Sequence, residues 1–355
     1  MDDKLAEAKL LFSENNFDEV IKICNHILCK KNDSIESLKL IYLSLFSLNK
    51  FHQARSYLNK CLQIEPDNCD FIKDLGKSYQ AEGDMNKARD YYKKALLIDD
   101  SYAPALTNLG IISLLSGKPN ESLSLLQQAL RSDPFLYPAL LNIATAYSEI
   151  GNHSEAENCL LKALEIRPNS IDAHTNLVVI LKRLDKLEDA EFYARKVISL
   201  KNDKPEYYIN LGSLLIDLRK FDDAEIYLNR AIDLDSNLFM PHYLLASILF
   251  AQERLDEAEF HCKQSIKLHP NQSKSYLLLG SIQSASNHID TAEASFKKAI
   301  VLDPKSSNSY FNLSKILSKK SDYTGAVMAI KKAILNEPDN HIYQSELTRI
   351  EFLNS

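Results

Sequence analysis

Small and apolar residues return along this chain at a fixed interval of 34 residues, from residue 1 to residue 340, without an insertion or deletion. Ten copies fit, starting at residues 1, 35, 69, 103, 137, 171, 205, 239, 273 and 307, and residues 341–355 remain as a tail. In the fourth copy, Ala103–Pro134, Leu109, Leu126 and Leu130 hold repeat positions 7, 24 and 28, while Ser113 is a lapse at position 11. Apolar residues at this spacing predict two helices per copy, roughly at positions 1–14 and 18–31. Position 8 is small in Gly76, Gly110, Ala144, Gly212, Ala246 and Gly280. Position 20 is alanine in eight copies, from Ala54 to Ala326, and position 27 in six, from Ala95 to Ala333. A large side chain at these places would overpack the contact between the two helices, so they predict a close approach. Proline at position 32, as in Pro66, Pro134 and Pro168, stops the second helix. The Asp, Asn or Ser that follows it is a cap for the next first helix. One helix pair cannot bury its own apolar face, so the copies are expected to stack into a continuous core.

These residues resemble the tetratricopeptide repeat (TPR) family, and the resemblance covers the whole chain. It implies an all-α fold, a right-handed superhelical solenoid of antiparallel helix pairs. Residues 1–340 are then ten repeats and residues 341–355 a C-terminal capping helix. In that helix Ile342, Leu347, Ile350 and Leu353 are expected to cover the last copy. The chain departs from the family pattern in places. Position 4 is never tryptophan, Tyr42 and Val178 stand at position 8, and Val20 and Ile27 occupy small positions of the first copy. The first copy is therefore expected to be a looser cap.

The repeat absorbs most residues that could carry chemistry. All eight glycines have a repeat address, four at position 8, three at position 15 and Gly325 at position 19, so no phosphate-cradling loop is left. No HExxH, GxSxG or CxxC occurs. Cys24, Cys61, Cys159 and Cys262 fall where small apolar residues are expected and read as buried free thiols, whereas Cys29 and Cys69 read as more exposed. His174 and His242, both at position 4, read as packing residues. Acidic pairs such as Asp99–Asp100 and Asp222–Asp223 sit at helix ends and complement the dipole. No catalytic residue, metal site or cofactor is predicted, and the chain is read as not an enzyme. A net charge of −6 spread along the chain argues against a nucleic-acid partner or an acidic membrane surface. No apolar run is long enough for a membrane span. The acidic start, MDDKLAEAKLL, lacks the marks of a signal peptide, and the free thiols fit a reducing compartment. A cytoplasmic location is expected.

What remains is the surface of the first helices, which in the TPR family line the concave face through positions 2, 5, 6, 9, 12 and 13. Position 6 reads Asp74, Asn108, Asn142, Asn176, Asn210, Leu244, Leu278 and Asn312. An asparagine amide both donates to a peptide carbonyl and accepts from a peptide N–H, so a row of them can hold an extended peptide by its backbone. This row is similar to the asparagine ladder in the TPR arm of O-GlcNAc transferases. That likeness implies peptide-binding roles for Asn108, Asn142, Asn176, Asn210 and Asn312. Asparagine at position 6 is also common across the repeat family as ordinary groove surface. Farther along, Met240, Tyr243, Leu244, Phe250, Leu277 and Leu278 make the concave positions apolar, which points to a partner-binding or self-association patch. A smaller cluster, Leu40, Leu43 and Phe46, lies near the N-terminus. Lys182 and Arg183, with Glu149 and Asp217, would tune selectivity. A chaperone-tail carboxylate clamp is not predicted: Lys73 and Asn108 fill two of its places, but Pro138 and Asn142 stand where its last cations are needed.

The expected function is a non-catalytic protein–protein interaction scaffold that binds an extended peptide or a partner helix in its groove. The alternative is the substrate-recognition arm of an O-GlcNAc-transferase-like system whose catalytic chain is separate.

Overall fold

The computed structural model describes residues 2–354 of the chain. Met1 and Ser355, the outer ends of the first copy and of the tail, lie outside the described residues. Among the described residues there are 21 α-helices and no strand, so the fold is an all-α solenoid of helix pairs. The chain divides into two compact units, residues 1–184 and 185–355.

The first unit contains α1 (Asp2–Ser13), α2 (Phe17–Leu28), α3 (Ile35–Ser47), α4 (Phe51–Ile64), α5 (Cys69–Ala81), α6 (Met85–Ile98), α7 (Ala103–Leu115), α8 (Pro119–Ser132), α9 (Tyr137–Glu149), α10 (His153–Ile166) and α11 (Ile171–Arg183). The second contains α12 (Leu187–Leu200), α13 (Pro205–Asp217), α14 (Phe221–Leu234), α15 (Phe239–Ala251), α16 (Leu255–Leu268), α17 (Ser273–Ala285), α18 (Ile289–Leu302), α19 (Ser307–Lys319), α20 (Tyr323–Asn336) and α21 (His341–Asn354).

Helix ends are set by local chemistry. The residue two places past each first helix, at repeat position 15, has positive φ throughout, from 57° at Asn49 to 85° at Gly83. In the third copy the N–H of Gly83 reaches the carbonyl of Gln80 at 3.0 Å and that of Asp84 reaches Tyr79 at 2.9 Å. This is the Schellman closure, which satisfies the last carbonyls and ends the first helix one residue earlier than the apolar spacing alone suggests. Asn68, Ser170 and Ser306 cap the following first helices by accepting from backbone N–H groups.

In the third, fourth, seventh and ninth copies the two helices meet at repeat positions 8 and 24. A β-carbon on Gly76, Gly110, Gly212 or Gly280 would lie 2.6–2.7 Å from Tyr92, Leu126, Leu228 or Phe296 respectively. These four large residues are among the most deeply buried side chains. Tyr42, the large residue at position 8 of the second copy, is 2% exposed because its hydroxyl leaves the apolar contact and donates to Asp74 at 3.0 Å. Leu40, Leu43 and Phe46 are partly buried and pack on the same core, with Phe46 edge-on to Tyr42 and Phe51.

The last helix departs from expectation. Tyr343 and Ile350 are buried, with Leu347 packed beside them, whereas Ile342 is 65% and Leu353 44% exposed. Residues 343, 347 and 350 share one face at spacings of four and three, and Ile342 lies about 100° around the helix from Tyr343. No described helix is long and apolar enough to cross a membrane.

Candidate functional site

In the first unit the position-6 residues of α7, α9 and α11 are Asn108, Asn142 and Asn176. Asn176 is exposed; Asn108 and Asn142 are half-buried. Their amides are not equivalent. Asn142 donates its Nδ2 to the carbonyl of Pro138 at 2.7 Å, within its own helix. Its Oδ1 and its second Nδ2 hydrogen are left to offer. The Asn108 and Asn176 amides make no hydrogen bond to the described residues and retain both functions. Beside Asn176 lies a cavity of about 160 Å³, floored by Leu160 and Ile180 and walled by Ala144, Thr145, Ser148 and Val179. Arg183 donates to the Ser148 hydroxyl at 2.9 Å at the edge of this region.

Toward the N-terminal side, α5 carries a polar cluster. Lys73 lies 3.1 Å from Asp70 and 3.2 Å from Asp74, and Tyr102 donates to Asp70 at 2.7 Å. The Tyr102 hydrogen bond, with Lys73 beside it, holds the Asp70 carboxyl below the ordinary carboxylate value. Burial opposes the charge on Lys73, but Asp74 and Asp70 more than offset it and its pKa rises. The ammonium is thus committed within the protein. Spacing along the chain shows the three charges but not the tyrosines that reach them, Tyr42 from the preceding copy and Tyr102 from the far end of the same copy.

In the second unit, Asn210 on α13 is exposed and makes no hydrogen bond to the described residues, while Asn312 on α19 donates to the carbonyl of Asn308 at 3.0 Å. Of the apolar residues singled out above, Met240 is 38% exposed. Tyr243, Leu244 and Phe250 on α15 and Leu277 and Leu278 on α17 are half-buried. Leu277 packs against the core formed by Phe296, Leu313 and Ile330. His242 does more than pack: its Nδ1 is 3.0 Å from Nδ1 of His261. Burial, and for His242 the facing His261, lower both pKa values. The two histidines stand at positions 4 and 23 of one copy, and only the helix pairing brings them together.

Cys24, Cys61 and Cys262 are buried free thiols, Cys159 and Cys69 are half-buried, and Cys29 is exposed. Burial raises Cys24 and Cys61 to about 11 and Cys262 to about 12. Among the described residues no group of three or more His, Cys, Asp or Glu side chains is gathered as a metal site. His174 is buried, its Nδ1 2.6 Å from the carbonyl of Ser170.

Comparison with known proteins bears on the fold. Tetratricopeptide repeat models match residues 72–134, 113–178 and 295–328, and one such model matches both 43–68 and 273–306. A model for anaphase-promoting complex, cyclosome, subunit 3, matches residues 184–265. No curated protein matches the chain. Among solved structures, a tetratricopeptide repeat protein from Parabacteroides merdae is 18% identical, with 71% of this chain and 99% of that one covered and a TM-score of 0.58. The Cut9–Hcn1 hetero-tetramer of the APC/C is 13% identical over 98% of this chain and 89% of that one, with a TM-score of 0.52. Pseudomonas aeruginosa pilF is 23% identical over 61% of this chain and 96% of that one, with a TM-score of 0.52. At these identities the shared property is the fold.

Proposed function

The chain belongs to the tetratricopeptide repeat family, and from that premise we propose that it is a non-catalytic interaction scaffold whose first helices hold an extended peptide. One observation carries the reading. The Asn176 amide has no protein partner and lines the cavity above Leu160 and Ile180, so a backbone-gripping group stands beside a recess that can take an apolar side chain. Asn108 supplies a second free amide, and Asn142 its carbonyl and its remaining N–H. In the second unit Asn210 offers the same function, and Met240 with Tyr243, Leu244, Phe250 and Leu278 offers apolar contact. The Lys73 ammonium is engaged within the protein by Asp70 and Asp74, so hydrogen bonding and apolar contact dominate over ion pairing there.

The test is a peptide-display selection on the whole chain, followed by titration of a selected peptide against wild type and Asn108→Ala/Asn176→Ala. The double substitution is expected to weaken binding by about 1–3 kcal/mol, two neutral hydrogen bonds' worth, with an unchanged melting temperature. Equal affinity in the two proteins would refute the ladder, and a selection that yields no peptide would refute the groove.

A further inference from the structure

The outward face of the second unit carries a feature that the repeat does not require. Repeat position 22, in the middle of each second helix, is polar in the first five copies: Lys22, Ser56, Asp90, Ser124 and Asn158. In the last five copies it is Phe192, Ile226, Phe260, Ala294 and Met328. These residues are not core. Phe192 and Ile226 are each 65% exposed, Phe260 57% and Met328 68%. The helices of the first five copies form with serine, asparagine or charge at this place, so packing within the repeat gives no reason for phenylalanine. A row of exposed large apolar side chains on adjacent helices marks an interaction surface.

The charges beside this row say what covers it. One turn before Phe192 stand Glu188 and Asp189, and one turn after it Arg195 and Lys196. Around Ile226 the order is Asp222 and Asp223, then Arg230. Around Phe260 it is Asp256 and Glu257, then Lys263. Around Ala294 it is Asp290, then Lys297 and Lys298. The second helices stand side by side, tied by contacts such as Arg195 to the Tyr227 hydroxyl at 2.6 Å and Arg254 to Glu225 at 2.7 Å. The apolar row therefore runs between an acidic rail and a basic rail about 10 Å apart, seven residues of helix rise. Part of this charge is used internally: Arg195 holds Asp223 at 3.0 Å, Lys263 holds Glu259 at 2.9 Å, Lys297 holds Glu293 at 2.6 Å and Lys320 holds Asp290 at 2.8 Å. Glu188, Asp189, Asp256, Lys196, Lys298 and Lys332 have no ion pair among the described residues.

We propose that this face is a self-association surface and that its occupant is a second copy of this chain. A two-fold axis lying along the apolar row sets row against row and exchanges the rails. In the sixth to ninth copies each acid then faces the base of the same copy in the partner, and Asp189 opposite Lys196 is the rung for which no internal ion pair competes among the described residues. These four rungs are each complementary to themselves under that one operation, which is what an isologous interface demands, and the tenth copy, with Thr324 and Gly325 before Met328, adds apolar contact without an acid. A two-fold axis across the row would instead oppose acid to acid, so the rails also fix the orientation.

Sedimentation of the full chain tests this. Wild type is expected to show a reversible dimer. Phe192→Ser/Ile226→Ser/Phe260→Asn uses residues that other copies carry at this position, so its helicity and melting temperature should match wild type. Its dimer dissociation constant should rise more than about tenfold, the effect of removing central aromatic anchors. Asp189→Lys/Asp256→Lys and Lys196→Glu/Lys263→Glu should each be monomeric alone and form a heterodimer when mixed. A wild-type chain that stays monomeric across the micromolar range, a triple variant that dimerises as wild type does, or a charge-reversed mixture that fails to pair would each overturn the proposal.

Discussion

A β-carbon on Gly280 would lie 2.7 Å from the ring of Phe296, closer than real side chains approach. Four copies pair glycine at position 8 with a bulky residue at position 24, and in the eighth copy the same pair is Ala246 with the much smaller Cys262. The absent β-carbon is filled by the partner's ring. Gly280→Ala gains about 1 kcal/mol of helix propensity but overpacks this contact by about 1–3 kcal/mol. The substitution is expected to lower stability by up to about 2 kcal/mol, measured by urea denaturation. In a Phe296→Cys background, which reproduces the small partner of the eighth copy, the same change should become neutral or favourable. An equal loss in both backgrounds would show that the ring is not what the glycine accommodates.

The left-handed residue at position 15 gives the opposite prediction. Arg219 and Glu253 adopt φ of 58° and 60°, where a β-carbon is crowded by the backbone. Arg219→Gly and Glu253→Gly should each stabilise the second unit by about 0.5–1 kcal/mol, the left-handed penalty less the entropy of glycine. Gly83→Ala, at φ of 85°, should destabilise the first. Thermal melts of the single variants check all three.

The His242–His261 pair makes the second unit sensitive to acid. Two imidazoles with Nδ1 atoms 3.0 Å apart share one proton well and cannot both be charged. Both folded-state pKa values lie below 6.5, chiefly through burial, although Glu225 and Glu257 act on His261 in the other direction and Arg254 in the same one. The unfolded chain then binds protons first as pH falls. The contribution is fully present above the unfolded value and is lost as pH drops through the folded values. Denaturation midpoints should fall between pH 7 and pH 5, and His242→Asn should flatten that slope. A slope unchanged in the variant would assign the acid sensitivity elsewhere.

Lys73 should matter for stability. Removing it leaves Asp70 and Asp74 facing each other with only tyrosyl partners, so Lys73→Met should cost about 1–3 kcal/mol at neutral pH. The loss should shrink in acid, where the carboxylates are protonated, and in an Asp74→Asn background. Chemical denaturation of the single and double variants at two pH values separates this from simple loss of packing.

The helix pairs were legible because their causes are local or periodic. Alanine at position 20 and proline at position 32 speak for themselves in one dimension, and the same spacing returns down the chain. The candidate site was legible only as positions. That Asn142 and Asn312 spend one amide N–H inside their own helices, while Asn108 and Asn176 do not, depends on side-chain rotamers that no spacing encodes. Leu277 at a groove position turns partly into the next copy because Phe296 and Leu313 leave it room there. In the last helix, Tyr343 rather than Ile342 faces the core because a rotation of about 100° separates neighbours.

By itself, then, the amino-acid sequence determined the fold class and the pairing of helices, since small residues at fixed spacing admit one close-packed arrangement and helix breakers place the turns. The tertiary structure decided which residues meet across copies and across helix pairs: His242 with His261, Tyr42 with Asp74, and a cavity beside Asn176. It also decided which apolar residues stay outside, Phe192, Ile226 and Phe260 among them. The physical reason is that burial belongs to the packed surface of neighbouring helices, and periodicity along one helix does not reveal which side of it the neighbours leave open.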